Sequence, residues 1–461
     1  MENPFSKKNR GLKIIIVGLG KVGVTLVERL SKEKHDITVI DTDDDLVSKI
    51  SDTYDVMGVV GNGSSYSIQL EAGIENTDII IAVTESDELN MLCCTIAKQV
   101  SDCAAIARVR NPDYSGELAY LRDKLGISLI INPELETARE IARLLRLPTA
   151  LEMNSFAKGQ AEIVKIKLPE GNSLVGKTVS SLRSIGLEIL LCGVERENEV
   201  YIPDGSFELH AGDEVSFVAT PVVMQMFFKK IGMETHQVKN CMIVGGGKSS
   251  YYLAKQLTEM NIDVKIIEID MKRCEELSAL IPKAIIICGD GTDEDVLRES
   301  GIEEVDSFVP LTGLDEENIL LTLFAKQSTA AKVITKIKRS SFNDVIDNLD
   351  MGSVIYPRYM TTESIDRYVR ATQNGLGSNI ETLYHIFDNK AESIEFLVDA
   401  SSPVIGKQIM ELKLKDNLLI ACINRNGKIM IPRGSDSIME NDKVIIVTTH
   451  TGFKDLKDIL R

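Results

Sequence analysis

A glycine-rich loop near the start of the chain has the spacing of a phosphate-binding site. The pattern GxGxxG is formed by Gly18, Leu19, Gly20, Lys21, Val22 and Gly23. In such a loop the first glycine permits a tight turn, the second lets the backbone approach a pyrophosphate, and the third allows close packing of helix on strand. The helix that follows presents free N–H groups and the positive end of its dipole to phosphate. The pattern therefore predicts a nucleotide site.

An acidic residue stands where the next strand is expected to end. Asp41 follows Gly18 by 23 residues. A carboxylate at this place accepts hydrogen bonds from ribose hydroxyls and repels a 2′-phosphate. The expected ligands are therefore NAD(H), ATP, ADP or AMP, and NADP(H) is disfavoured. The alternative is a degenerate domain whose cleft binds nothing.

The same features occur a second time in the chain, 227 or 228 residues later. VIDTD at 39–43 matches IIEID at 266–270, and VVGNGSS at 59–65 matches ICGDGTD at 287–293. The match continues far downstream, where IPDG at 202–205 is answered by IPRG at 431–434. Solenoid units run roughly 20–50 residues. A repeat this much longer indicates a duplicated domain pair.

The second glycine loop is less complete than the first. Its predicted binding residues are Gly245, Gly246, Gly247, Lys248 and Ser249. Ser250 replaces the third glycine, and Glu268 takes the acidic position. Serine is small, so helix packing can survive, and glutamate can still reach a ribose. We expect the same class of ligand here, with a pseudo-site kept for symmetry as the alternative.

Other candidate residues follow the later strands of each copy. They are Asn62, Gly63 and Thr84 in the first copy and Asp290, Gly291 and Thr312 in the second. Ligands of doubly wound sheets bind at the carboxyl ends of strands, although ordinary turn chemistry also explains such residues. Arg108 closes the fifth strand and is a candidate phosphate partner. Lys336 at the matching position lacks the planar fork of arginine, which predicts different ligand preferences for the two sites.

Each repeat has two parts that differ in their pattern of apolar and polar residues. In the first part, β-branched runs alternate with amphipathic stretches, which predicts Rossmann-like, doubly wound parallel sheets. In the second part, short strands separated by turn signals predict a small α+β domain. A helix from Pro133 to Leu147 connects the two parts. The expected boundaries are 12–135 and 238–358 for the Rossmann-like domains, 136–155 and 359–380 for crossover-helix linkers, and 156–235 and 381–461 for the small domains.

Composition excludes several classes of protein. With 52 Lys+Arg and 69 Asp+Glu, the net charge is −17, which disfavours a phosphate-contacting nucleic-acid binder. No apolar run approaches the roughly 20 residues of a membrane span, so a cytosolic location is expected. The eight cysteines form no CxxC pair and are expected to be buried, reduced thiols. The five histidines are scattered, and no metal site is predicted.

The sequence contains no recognisable catalytic constellation. There is no His-Asp arrangement, no GxSxG elbow and no P-loop, since GGGKS at 245–249 lacks the P-loop spacing. Duplicated nucleotide sites without catalytic groups fit a sensor whose domain arrangement is biased by ligand. An NAD(H)-dependent oxidoreductase is the alternative, and it requires an acid or base beside the nicotinamide. A scaffold with empty clefts is a third possibility.

The combined motifs resemble the regulatory subunits of Trk-type potassium uptake, a family built from RCK (KTN) domain pairs. The resemblance covers residues from about Leu12 to Arg461. It is carried by GLGKVG at 18–23, EAGIENTDIIIAVTESDELNM at 71–91, ARVRNPDY at 107–114 and, in the second copy, MIVGGGKSSYYLAKQL at 242–257 and VKIIEIDMKRCEEL at 264–277. GxGxxG is generic, whereas the Asp-Glu-x-Asn segment at 87–90 and the tandem order are far more specific.

The resemblance implies a function, a ligand class and partners. It implies a non-enzymatic regulatory subunit that binds NAD(H), ATP or ADP in its Rossmann clefts, at the glycine loops and at Asp41, Thr84, Arg108, Glu268 and Thr312. It further implies a homotetramer that forms a ring of RCK domains beneath a TrkH- or TrkG-like pore subunit. The chain would then be cytoplasmic and peripheral at the inner face of the membrane. Substitutions at Ser250 and Lys336 depart from the family pattern at the second site.

Overall fold

The structure is a computed structural model. It describes residues 11–233, 238–338, 349, 351–374, 379–387, 390–453 and 455–461. The expected domain boundary at residue 235 lies outside these residues. Among the helices described, none is both long and apolar enough to cross a membrane.

The first domain is built on a six-stranded parallel sheet of order β3-β2-β1-β4-β5-β6. Its strands are β1 Lys13–Val17, β2 Asp36–Asp41, β3 Met57–Val60, β4 Ile79–Ala82, β5 Ala104–Arg108 and β6 Leu129–Ile131. Its helices are α1 Lys21–Lys32, α2 Asp44–Tyr54, α3 Tyr66–Glu71, α4 Asp87–Val100, α5 Pro112–Ser115, α6 Leu118–Leu125 and α7 Pro133–Arg146. The strand order reverses between β1 and β4, which opens a crevice at their carboxyl ends.

The core of this domain has two layers, one on each face of the sheet. Ile14 and Ile16 of β1 face the layer that contains α1, whereas Ile15 and Val17 face the layer that contains α4. All four are almost fully buried. Continuous apolar strands of this kind are typical of parallel sheets covered on both faces.

An antiparallel five-stranded sheet of order β10-β9-β11-β8-β7 follows in the chain. Its strands are β7 Glu152–Phe156, β8 Ala161–Lys167, β9 Leu190–Arg196, β10 Glu199–Tyr201 and β11 Glu214–Ala219. Helix α8, Pro221–Lys230, comes after the last strand. Thr220 caps this helix and Pro221 begins it, which is a common start for a helix.

The second copy repeats both topologies. Its parallel sheet has the order β14-β13-β12-β15-β16-β17, and its antiparallel sheet has the order β18-β19-β22-β20-β21. The parallel strands are β12 Asn240–Val244, β13 Asp263–Glu268, β14 Ile285–Cys288, β15 Ser307–Pro310, β16 Lys332–Lys336 and β17 Ser353–Ile355. The helices are α9 Lys248–Glu259, α10 Met271–Leu280, α11 Glu294–Glu299, α12 Asp315–Ser328 and α13 Pro357–Asn374. The antiparallel strands are β18 Ile380–Ile386, β19 Ala391–Leu397, β20 Leu418–Arg425, β21 Lys428–Met430 and β22 Lys443–Thr448.

The compact units do not coincide with the two repeats. One unit joins residues up to Ala142 with Val238–Val369 and contains both parallel sheets. The other joins Arg143–Gln237 with Arg370–Arg461 and contains both antiparallel sheets. The two Rossmann-like domains therefore belong to one unit and the two small domains to the other. The chain passes from the first unit to the second within helices α7 and α13.

The two antiparallel sheets share a core and an ionic cluster. Phe387 packs where a side chain on Gly193 would lie, 2.6 Å from that position. Glu195 accepts a hydrogen bond from Lys165 at 2.9 Å and one from Lys390 at 2.7 Å. These attractions outweigh the cost of burial, so the pKa of Glu195 lies below its ordinary value. The small domains of the two repeats are thus joined within one unit.

The connecting helices differ in extent from the predicted linkers. Helix α7 begins at Pro133, within the first expected Rossmann-like segment, and α13 begins at Pro357, within the second. Proline favours the first position of a helix because its missing N–H is not needed there. Strand β7 begins at Glu152, inside the segment 136–155 that was expected to be linker. The domain boundaries themselves stay predictions.

Candidate functional site

Both glycine loops open into one cavity of about 1070 Å³ in the unit that holds the parallel sheets. Gly18 and Asp41 line it from the first copy, and Gly245 and Glu268 line it from the second. The two predicted sites are therefore parts of a single space. Within the described residues, no group of three or more His, Cys, Asp or Glu side chains is arranged to hold a metal ion.

Most of the predicted residues line this cavity. They are Gly18, Gly20, Lys21, Val22, Asp41, Asn62, Gly63, Thr84 and Arg108 in the first copy, and Gly245, Gly246, Gly247, Lys248, Ser249, Glu268 and Thr312 in the second. The cavity lining does not include Leu19, Gly23, Asp290 or Gly291. Their predicted part in binding, like that of the lining residues, stays a prediction.

The first glycine loop has the backbone that its sequence predicts. Gly18 has a φ of +97°, and a side chain there would lie 2.9 Å from the backbone nitrogen of Thr84. Gly20 precedes the first turn of α1, and no atom lies within 4 Å of the place where its side chain would be. That open space adjoins the free N–H groups of the helix, as phosphate binding requires.

The third position of the motif differs in kind between the copies. A side chain on Gly23 would lie 1.9 Å from the carbonyl oxygen of Gly18. Ser250 occupies the matching place fully buried, and its Oγ has no hydrogen-bond partner. The second copy thus accommodates a side chain that the first copy excludes.

We predict opposite effects of exchanging these residues. Gly23→Ser should destabilise the chain by more than about 2 kcal/mol, because the new side chain forces the loop away from α1. Ser250→Ala should be neutral or stabilising by up to about 1 kcal/mol, because it removes a buried, unpartnered hydroxyl. Thermal and urea unfolding of both variants measure this. Equal unfolding midpoints for Gly23→Ser and the wild type would contradict it.

Each acidic residue also fixes its own glycine loop. One oxygen of Asp41 accepts from the backbone N–H of Leu19 at 2.6 Å, and the other accepts from the N–H two residues after Asp41 at 3.1 Å. Glu268 makes the same pair of contacts, to the N–H of Gly246 and to the N–H two residues onward, the latter at 2.9 Å. The longer glutamate therefore reproduces the geometry of the aspartate.

The Asn of the Asp-Glu-x-Asn segment ties two strand ends together. Asn90 accepts from the backbone N–H of Thr84 at 2.8 Å and donates to the carbonyl oxygen of Arg108 at 2.9 Å. Asn318 makes the matching contacts in the second copy, at 2.9 and 3.0 Å. Both asparagines are fully buried. The segment thus holds β4 and β5, or β15 and β16, in register at the cavity.

The cations at the ends of the fifth strands both line the cavity, and Lys336 is buried there whereas Arg108 is half-buried. Arg108 donates from Nη2 to the carbonyl oxygen of Thr84 at 2.6 Å, and its Nε has no partner. Lys336 donates to the carbonyl oxygen of Leu311 at 2.8 Å. Burial, and then repulsion by Lys338, lowers the pKa of Lys336 to about 8. The two copies therefore differ in how firmly their cation holds its charge.

Glu134 and Arg358 are among the cavity residues that were not predicted from the sequence. Glu134 and Arg358 occupy the same place in the two copies, directly after Pro133 and Pro357 at the start of α7 and α13. Burial raises the pKa of Glu134, against the opposing attraction of Arg110 and other cations, and its Oε2 has no hydrogen-bond partner. The equivalent positions of Pro133 and Pro357 in the two copies could have pointed to these residues. Helices α7 and α13, however, were assigned to the linkers and not to the site.

Side-chain contacts join the parallel-sheet domains of the two copies. The hydroxyl of Tyr252, one turn into α9, donates to the carbonyl oxygen of Arg110 at 3.2 Å and accepts from Asn132 at 3.0 Å. Arg29 of α1 forms an ion pair with Asp366 of α13 at 3.2 Å. The helix of the second glycine loop is thus bonded to the strand end that carries Arg110 in the first site.

Comparison with protein families matches all four domains. The TrkA-N domain model matches residues 14–133 and 241–357, and the TrkA-C domain model matches residues 163–232 and 394–461. The chain belongs to the TrkA family. The resemblance drawn from the glycine loops and the tandem order is confirmed.

Relatives in the TrkA family match nearly the whole chain. The Trk system potassium uptake protein TrkA homolog 1 of Methanosarcina mazei is 33% identical over 443 residues, which cover 94% of this chain and 97% of the relative. The Trk system potassium uptake protein TrkA of Vibrio alginolyticus is 32% identical, with coverage of 94% and 95%. The match includes the tandem duplication as well as the single domains.

Solved structures share the architecture. The GsuK channel aligns with a TM-score of 0.64 at 18% identity, over 95% of this chain and 77% of that chain. The GsuK channel bound to NAD aligns with a TM-score of 0.61 at 18% identity, with the same coverage. The GsuK RCK domain aligns with a TM-score of 0.62 over 95% of this chain and 92% of that chain. The predicted fold class, two Rossmann-like domains each followed by a small RCK domain, is confirmed.

Proposed function

We propose that this TrkA-family chain is a nucleotide-binding regulatory subunit of Trk-type potassium uptake. The observation that carries the proposal is the shared cavity, in which two glycine loops each face an acidic strand end. A glycine loop, a helix N-terminus and a ribose-binding carboxylate are the parts that a nucleotide with a free 2′-hydroxyl requires. The TrkA-family relatives are named for potassium uptake.

The ligands that fit this lining are NAD(H), ATP and ADP. Their phosphates would lie against the N-termini of α1 and α9, beside Arg108 and Lys336. Their ribose hydroxyls would donate to Asp41 and Glu268. In this proposal the nucleotide is a regulatory ligand and is not consumed.

In this proposal, a nucleotide bound in the shared cavity controls the potassium pore by changing the arrangement of the two parallel-sheet domains. A ligand that contacts residues of both parallel-sheet domains is sensitive to their spacing, which the Tyr252 and Arg29 contacts also constrain. A nucleotide shifts this arrangement only if it binds one state more tightly than the other. The response would be passed to a membrane potassium pore subunit, TrkH- or TrkG-like, by a homotetramer at the inner face of the membrane.

A ligand panel tests the proposal. The purified chain is titrated with NAD⁺, NADH, ATP, ADP and NADPH while its unfolding temperature is followed. A ligand that binds the folded state alone stabilises it by RT ln(1 + [L]/Kd). Stabilisation by NAD(H), ATP or ADP but not by NADPH, without conversion of the ligand, supports the proposal. No shift with any nucleotide contradicts it, and turnover of the cofactor would indicate the oxidoreductase alternative.

We predict that, at and above about pH 8, the second site takes up a proton when a nucleotide binds. A phosphate anion near Lys336 favours its charged form and raises its pKa from about 8 toward the ordinary 10.5. Affinity at this site should therefore fall by up to about tenfold per pH unit above the lowered pKa, whereas the arginine of the first site stays charged. Calorimetry in buffers of different ionisation enthalpy measures the uptake.

Lys336→Arg is the matched control for this experiment. Arginine keeps its proton throughout the range, so binding to the variant should release or take up none at this position. Equal proton uptake by the wild type and the variant would show that Lys336 is not the group that titrates.

A further inference from the structure

Two cysteines lie together beside the acidic strand end of the second parallel sheet. Cys288 ends β14 and is paired in register with Glu268 of β13. Cys274, on α10, donates from its Sγ to the carbonyl oxygen of Glu268 at 3.3 Å. The Sγ of Cys288 lies 3.9 Å from the carbonyl oxygen of Ile269, the next residue. Both thiols thus occupy the space around one short stretch of backbone.

The two thiols also interact with each other. Burial raises the pKa of Cys274 to about 12, and a hydrogen bond with the Cys288 thiol and repulsion by its charge add to the effect. Cys274 is almost fully buried, whereas Cys288 is exposed on the edge strand. The expectation that all eight thiols are buried is therefore wrong for Cys288.

The pair is a property of the second copy alone. The matching positions in the first copy are Val47 and Val60, and Val60 is paired in register with Asp41 as Cys288 is with Glu268. The valines fill the same place with apolar side chains. The pair of cysteines adds thiol–disulfide reactivity at this position. When the exposed thiol has formed a mixed disulfide, the neighbouring buried thiol can attack that disulfide and replace it with a bond between the two cysteines.

We propose that Cys274 and Cys288 form a reversible disulfide, a redox-sensitive modification site at the edge of the second parallel sheet. The exposed Cys288 thiolate attacks a low-molecular-weight disulfide, forms a mixed disulfide and releases one thiolate. Cys274 then loses its proton and attacks the Cys288 sulfur, which releases the second thiolate. Two protein thiols are oxidised and one small disulfide is reduced to two thiols.

The chemistry of the pair fits this order of events. The thiol that attacks first must be accessible to a small disulfide, and Cys288 is exposed whereas Cys274 is not. Once Cys288 is in the mixed disulfide its negative charge is gone, so the repulsion that opposes ionisation of Cys274 disappears. The disulfide would connect α10 to the edge strand. Arg273 of α10 donates to the carbonyl oxygen of Gly246 at 2.8 Å, so the connected helix directly contacts the second glycine loop.

Peptide mapping of the full-length chain tests the proposal. The folded protein is treated with oxidised glutathione, the remaining thiols are alkylated after unfolding, and the digest is analysed by mass spectrometry without reduction. The expected result is a peptide cross-linked through Cys274 and Cys288, with the other six thiols alkylated. Dithiothreitol should restore both thiols. The buried neighbours Cys93 and Cys94 serve as internal controls, which should form no glutathione adduct or disulfide and should be alkylated after unfolding.

Two variants make the result decisive. Cys274→Ser should stop at a glutathione adduct on Cys288, and Cys288→Ser should yield neither adduct nor cross-link. A wild-type chain that stops at the adduct, or in which Cys274 is alkylated in full, overturns the proposal. The assay contains no nucleotide, so its outcome is independent of whether the clefts bind one.

Discussion

Asp41→Lys is expected to weaken nucleotide binding at the first site by about 100-fold or more. The carboxylate faces the cavity and accepts the N–H of Leu19 at 2.6 Å, so the substitution removes the ribose acceptor and a contact that shapes the glycine loop. Hydrogen bonds to a charged group contribute about 1.5–3 kcal/mol each, and about 1.4 kcal/mol corresponds to a factor of ten. Calorimetric titration with ATP and NAD⁺ measures the change.

Two further variants separate the causes. Asp41→Asn keeps an acceptor for the N–H of Leu19 but loses the charge, so it should retain more affinity than Asp41→Lys. Glu268→Lys makes the equivalent change at the second site and should weaken binding there more than at the first site. Unchanged nucleotide affinity in Asp41→Lys would refute the ribose role of this residue.

Asn90→Leu is expected to cost about 3 kcal/mol of folding stability. Asn90 is fully buried, and its loss leaves the N–H of Thr84 and the carbonyl oxygen of Arg108 without these partners. Each buried, unsatisfied backbone group costs about 1–3 kcal/mol. Urea unfolding monitored by circular dichroism measures the loss. Binding at the first site should weaken as well, because β4 and β5 are no longer held together at the cavity.

The control for this prediction lies on the same helix. Gln99 is exposed on α4, and Gln99→Ala should change stability by less than about 0.5 kcal/mol. Asn90→Asp retains the acceptor but loses the donor, and an intermediate loss is expected. If Asn90→Leu unfolds at the same urea concentration as Gln99→Ala, the strand ends are held by other contacts.

The sequence was sufficient to predict the elements that position the site. The GxGxxG pattern and its distance to Asp41 predicted the turn at Gly18 and the helix that begins at Lys21, because few residues other than glycine adopt a φ of +97° without strain. Alternating β-branched and amphipathic runs predicted the parallel sheet. These features depend on residues close together in the sequence, so the secondary structure can be predicted from them without knowledge of tertiary contacts.

Long-range features were not predictable in the same way. The hydrogen bond between Tyr252 and Asn132 joins residues 120 positions apart in the sequence. The helical pattern around Tyr252 does not indicate which residue its hydroxyl contacts. The grouping of like domains into one unit depends on such contacts. Cys288 was expected to be buried like the other seven thiols, but β14 is the edge strand of its sheet and leaves that side chain exposed.

Because the two copies are parts of one chain, the two halves of the cavity need not have identical residues. In a dimer of identical chains, every substitution would appear in both halves of the space between them. Here Glu134 and Arg358 occupy equivalent positions with opposite charge, so one wall carries an acid where the other carries a base. A substitution in one half therefore leaves the other half unchanged. A duplicated gene fused in this way can encode two receptors of different specificity in a fixed one-to-one ratio.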